Sequence, residues 1–154
     1  MTTIESAYEK FCQERFSLPT EEQVADLEER IGVSLPDDYR EFLLAYNGGL
    51  FSEPDIVPPT EECPVDGLTF MRGIGATEPV AELARKRDLA LFDDNDPPQV
   101  VPIGDTMMGN LILLITHPDE RGCIVLKKAF SDQSFFLAEG IEEFFGLLRE
   151  PSEE

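Results

Sequence analysis

Leu35-Pro36-Asp37-Asp38-Tyr39-Arg40-Glu41-Phe42-Leu43-Leu44-Ala45-Tyr46-Asn47-Gly48-Gly49 carries a whole helix together with its start and stop signals. Pro36 is pre-set for a first helical turn, and Asp37 and Asp38 meet the positive end of the helix dipole. Tyr39, Phe42, Leu43 and Tyr46 recur at i, i+3, i+4 and i+7, which places one apolar stripe on one face. Asn47-Gly48-Gly49 tolerates positive φ and ends the helix. Beyond it the helical period disappears.

Upstream, two further helices are expected. Ile4, Tyr8, Phe11, Cys12 and Arg15–Phe16 predict an amphipathic helix over about 4–16, stopped by Leu18-Pro19. Thr20 and Gln23 have capping-box spacing ahead of Val24, Leu27 and Ile31, and Gly32 supplies a left-handed C-terminal residue. Downstream, residues 50–66 are rich in Pro, Glu and Asp and read as a long connection, followed by a strand over Leu68–Met71. Thr77 caps an expected helix from 78 or 79 to about 87, with Val80, Leu83 and Ala84 inward and Arg85-Lys86-Arg87 in its last turn.

The second half changes character. Val100–Ile103, Leu111–Thr116, Cys123–Lys128 and Ser134–Leu137 read as strands, with turns at Gly104-Asp105 and 117–122. Ile141, Phe144, Phe145 and Leu148 predict a last helix ending near Pro151. Helices, then a mostly antiparallel meander, then a helix make an α+β plan, a single domain with helices packed around one sheet. The domain is expected over 1–150, with 151–154 an acidic tail.

Charge is the compositional outlier. The 154 residues hold 12 Lys and Arg against 32 Asp and Glu, a net charge of −20. Phosphate backbones and anionic lipid repel such a surface, which argues against direct nucleic-acid binding and a polybasic membrane anchor. The start lacks a basic stretch followed by an apolar one, and the longest strongly apolar run, Leu111–Ile115, is far short of a membrane span. Three cysteines, Cys12, Cys63 and Cys123, are too few and too scattered for a disulfide framework. A cytoplasmic protein is expected.

Three segments together resemble the SUKH superfamily, the Smi/Knr-like domain. Residues 35–49 are similar to its first signature. Pro102-Ile103-Gly104-Asp105-Thr106-Met107-Met108-Gly109-Asn110-Leu111-Ile112-Leu113-Leu114 is similar to its second, and residues 134–148 to its last strand and helix. Met107-Met108 departs from the pattern, where Gly or Asp is frequent. The resemblance implies helices around a single sheet and a role without catalysis. Bacterial members are mostly immunity proteins that bind and neutralise polymorphic toxins, and fungal relatives regulate cell-wall assembly. The expected activity is therefore stoichiometric binding of a cognate protein toxin, with a regulatory interaction scaffold of the fungal kind as the alternative. The toxin's identity and the oligomeric state stay open.

Among the signature residues, Pro36, Tyr39 and Phe42 serve helix start and packing. Asn47, Gly48 and Gly49 form a C-cap, or else offer backbone groups in a cleft. Gly104 and Gly109 are structural positions of the second signature, and Asp105 and Asn110 satisfy turn amides, or else line the same concave surface as Asn47. His117 is the sole histidine, which precludes a multi-imidazole metal site, and no Cys-x-x-Cys pair exists. A His117–Cys123 nucleophile is a minor reading; no catalytic residue, metal or cofactor is expected. The acidic surplus suits a cationic partner, since a nuclease toxin carries Lys and Arg to hold phosphates, and a basic nuclease is one candidate. Glu53, Asp55, Glu61, Glu62, Asp93, Asp94 and Asp96, all on predicted loops, are the candidate contact groups.

Overall fold

A computed structural model describes residues 2–76, 79–83 and 99–151. Its elements run α1 (Thr3–Phe11), β1 (Cys12–Glu14), α2 (Glu21–Ile31), α3 (Asp37–Ala45), β2 (Gly49–Phe51), β3 (Asp55–Ile56) and β4 (Asp66–Met71). After a 3-10 turn at Pro79–Ala81 come β5 (Val100–Thr106), β6 (Leu111–Ile115), β7 (Ile124–Lys127), β8 (Ser134–Ala138), α4 (Ile141–Phe145) and β9 (Leu148–Arg149). Among the described residues, four helices pack against an open sheet in an α+β domain. The strand order is β1-β2-β4-β5-β6-β7-β8, with β3 joining β4 and β9 joining β3, and every one of these pairings is antiparallel.

The helices form where their signals stand. Thr20 Oγ1 accepts from Gln23 N at 3.1 Å while Gln23 Oε1 accepts from Thr20 N at 2.8 Å, the reciprocal capping box. Val24, Leu27 and Ile31 are buried, and Gly32 closes α2 at φ +79°. Glu28 ties α2 to α3: its carboxylate accepts from Leu35 N at 2.7 Å and meets Arg40 Nε at 3.3 Å. Tyr39, Phe42 and Leu43 are buried as their spacing requires. They join Tyr8, Phe51, Phe144 and Phe145 in an aromatic core at which α1, α3 and α4 meet the sheet. Each such ring, fully buried, is worth roughly 1.5–3 kcal/mol.

Five expectations are corrected. The first helix stops at Phe11 instead of 16, because three and four residues on stand polar Glu14 and Arg15. Cys12–Glu14 pairs instead with β2, Cys12 opposite Phe51. Residues 50–66 hold part of β2 and all of β3, which Asp55 and Ile56 form between β4 and β9. Gly104 and Asp105 lie inside β5, facing Met71 and Phe70, and the turn falls on Met107–Gly109. A break in the register between Pro102 and Gly104 allows β5 to continue. Of the helix expected to reach 87, the turn Pro79–Ala81 is present, with Val80 outward at 54% exposure and Leu83 buried; Thr77 and residues 84–87 lie outside the described residues. The last helix ends at Phe145, since Leu148 is drawn into pairing with Ile56.

Candidate functional site

The end of α3 is built by three successive residues at positive φ, Asn47 (54°), Gly48 (79°) and Gly49 (142°). They swing the chain into β2 beneath the turn that follows β4. Asn47 is completely buried. Its Nδ2 donates to Ser17 O at 2.8 Å and Ile74 O at 2.7 Å, and its Oδ1 accepts from Ile74 N at 2.8 Å. One amide thus joins three chain segments. A Cβ on Gly48 would lie 2.5 Å from Met71 O and 2.6 Å from Arg72 O, and a Cβ on Gly73 would run into the carbonyl oxygen of Asn47. Tyr8 Oη donates to Gly48 O at 2.9 Å. Backbone carbonyls, with the Phe16 ring and the Tyr8 hydroxyl, fill this junction.

Asp105 and Asn110 do other work. Asp105 receives Arg72 Nε at 2.8 Å on Oδ1 and Arg72 Nη2 at 3.0 Å on Oδ2, a bidentate pair that neutralises a nearly buried guanidinium. Gly104 packs against Met71, and Gly109 takes φ +79° in the turn. Asn110, buried, donates to Asp66 Oδ2 at 3.0 Å and accepts from Ala129 N at 3.1 Å. Asn47 and Asn110 therefore serve separate networks, one at the end of α3 and one beneath the β5–β6 and β7–β8 turns. Arg72 and Asp66 went unread in the sequence: each lies more than 30 residues from its partner, and nothing local marks either.

Of the candidate acidic residues, Glu53 is exposed at φ 63°, and Asp55, half-buried, pairs opposite Gly67. Glu61 and Glu62 are exposed in the loop before β4. Asp93, Asp94 and Asp96 lie outside the described residues. Cys63, buried in that same loop, has its thiol pushed up by burial, with Asp66 adding to the shift and Lys128 opposing it.

The thiols are held in their unreactive form. Burial pushes Cys123 up, and the carboxylates of Glu120, Glu139 and Glu143 push it further. His117 Nδ1 accepts from Asp119 N at 3.2 Å and caps the short turn at 118–120. A thiol kept protonated beside three acids is a poor nucleophile. Burial also pushes Cys12 up, against the pull of Arg15.

Residues 18–146 match the SMI1 / KNR4 family (SUKH-1). The chain belongs to this family. SUKH-1 is known for immunity-like proteins and is not known as enzymatic. The chain is also 31% identical over 156 residues to the SPbeta prophage-derived uncharacterized protein YokK of Bacillus subtilis (strain 168), covering 89% of this chain and 79% of that relative. No solved structure matches. Among the described residues, no helix is long and apolar enough to cross a membrane.

Proposed function

We propose that this SUKH-1 domain is a cytoplasmic immunity protein that binds a cognate protein toxin stoichiometrically and neutralises it without turnover. One observation carries the reading: a −20 charge on a SUKH-1 frame whose signature polar groups are spent internally. What remains for a partner is the surface, and the surface is acidic. Glu53, Glu61 and Glu62 stand exposed with Asp55 nearby, and Asp93, Asp94 and Asp96 add to the same charge. A toxin that grips phosphates offers Lys and Arg, so the domain acts as a competing polyanion. Opposed fields also speed the encounter, which decides survival when a toxin arrives suddenly.

The test first reads the adjacent reading frame for a toxin domain and then uses that domain in catalytically inactivated form. A 1:1 complex in solution, together with protection of cells expressing the active domain, is the expected result. Affinity should fall as salt rises through 0.15 M, where the Debye length is about 8 Å. Absence of both binding and protection would refute the reading. Binding that ignores salt would remove the electrostatic part alone.

A further inference from the structure

The three most exposed large apolar side chains among the described residues are Phe130 (99%), Met108 (63%) and Met107 (60%). All three sit at one end of the sheet. Met107 and Met108 occupy the β5–β6 turn, Phe130 follows β7 in the β7–β8 turn, and pairing of β6 with β7 makes these turns neighbours. Met108 and Phe130 line one cleft of about 350 Å³ with Asn110, Lys128 and Gln133. Exposed methionine and phenylalanine around a concavity are what binding hot spots are made of, because large apolar area is desolvated in a small space.

This end is rigidly wired. Asn110 reaches Asp66 in β4 with its amide nitrogen and Ala129 in the other turn with its amide oxygen. Met108 N donates to Asp66 Oδ1 at 3.3 Å, and Lys127 Nζ donates to Lys128 O at 3.3 Å and Ser131 O at 3.0 Å. Met107 lies over Gly67, in the place a Cβ would fill. Cross-tied turns cannot fold inward to hide Phe130, so little ordering entropy is lost when a partner covers it.

Charge selects the occupant. The carbonyl of Glu53 faces the same Gly67 seat as Met107, and Asp132 follows Phe130 by two residues, in the turn that also carries Lys127 and Lys128. A second copy of this chain brings −20 against −20. Resting on the immunity reading above, we infer that the cognate toxin docks on this end: it seats an apolar side chain between Met108 and Phe130 and sets its Lys and Arg against Glu53 and Asp132.

The experiment measures binding kinetics of this chain with the inactivated toxin domain that the test above identifies. Met108→Ala with Phe130→Ala should weaken the complex at least 100-fold, chiefly through faster dissociation, with an unchanged circular dichroism spectrum. Glu53→Gln with Asp132→Asn should instead slow association several-fold and flatten the salt dependence. Wild-type binding that both double variants preserve would overturn the surface and leave the immunity reading standing. Failure of the wild type to bind would overturn both. A wild-type dimer that Phe130→Ala dissolves would give the surface to a second copy and overturn the assignment.

Discussion

Two asparagines beside glycines, Asn47-Gly48 and Gly109-Asn110, stand in different parts of the fold and do the same chemistry with opposite results. Each is buried and each uses its side-chain amide to join chain segments distant in sequence. Around Asn47 the space is closed by Gly48 and Gly73, whose absent Cβ atoms would overlap backbone carbonyls. Above Asn110 the chain instead carries Met108 and Phe130 out into solvent. The same wiring therefore closes the fold at one place and holds up a surface at the other. A family signature marks the wire and says nothing of what it supports.

The largest effect should come from breaking the closed junction. Gly48→Ala combines a backbone at φ +79° with a Cβ 2.5 Å from Met71 O, and Met71 is in a strand that cannot give way. Strain and overpacking together should cost about 3–5 kcal/mol, read as a lower urea midpoint. Gly109 has the same φ but open space about its Cβ position, so Gly109→Ala should cost only the conformational part, about 1 kcal/mol. Equal losses at the two glycines would erase the contrast between the regions.

The asparagines sharpen it one step further. Asn47→Ala removes the bonds to Ile74 N, Ile74 O and Ser17 O at a part-buried junction and should cost about 3 kcal/mol in urea unfolding. Asn110→Ala loses two side-chain bonds, one of them to the Asp66 carboxylate, and should cost about 2 kcal/mol. It should also loosen the two turns and weaken toxin binding, which Asn47→Ala at matched stability should not.

How much of this was legible followed the range of the signal. Helix caps and apolar stripes act within four residues, and Thr20–Gln23, Tyr39–Phe42–Leu43 and Asn47–Gly49 could be read directly. The meander was legible because β6 and β7 are dense in Leu, Ile and Val. What failed was set by partners far along the chain. β1 and β3 exist because β2, β4 and β9 offer edges to pair with, and Gly104-Asp105, turn-like in composition, is straightened by β4 and β6 on either side. The acidic loops were visible as composition, but that Glu53 sits beside Met107, or that Met108 faces a cleft with Phe130, depends on turns brought together by the sheet.

The phenols packed about α3 carry a pH dependence. Burial pushes the phenols of Tyr8 and Tyr39 above their ordinary value, with Arg15 opposing it at Tyr8 and Arg72 opposing it at Tyr39. The folded state then holds these protons more tightly than the unfolded chain. Their contribution is intact below about pH 10 and is lost as pH rises beyond it, at about 1.4 kcal/mol per pH unit for each phenol. Tyr39 Oη has no hydrogen-bond partner among the described residues, so Tyr39→Phe should leave stability at neutral pH unchanged or raise it by up to about 1 kcal/mol. Urea midpoints at pH 7 and pH 11 should show a smaller alkaline loss in that variant, with the raised thiols supplying part of what remains.

The smallest expected change is at the exposed end, and its smallness is the point. Phe130 is 99% exposed, so its ring has almost no folded-state contact to lose. Phe130→Ala should move the urea midpoint by no more than the equivalent of about 0.5 kcal/mol. The wiring beneath it runs through the backbone of Ala129 and the side chains of Asn110 and Lys127, all untouched by the substitution. A destabilisation above 1 kcal/mol would mean that the ring packs against this chain in solution, and the cleft would then belong to the fold. A neutral result leaves a large aromatic side chain held outward at no benefit to stability, which is the arrangement expected of a residue kept for a partner.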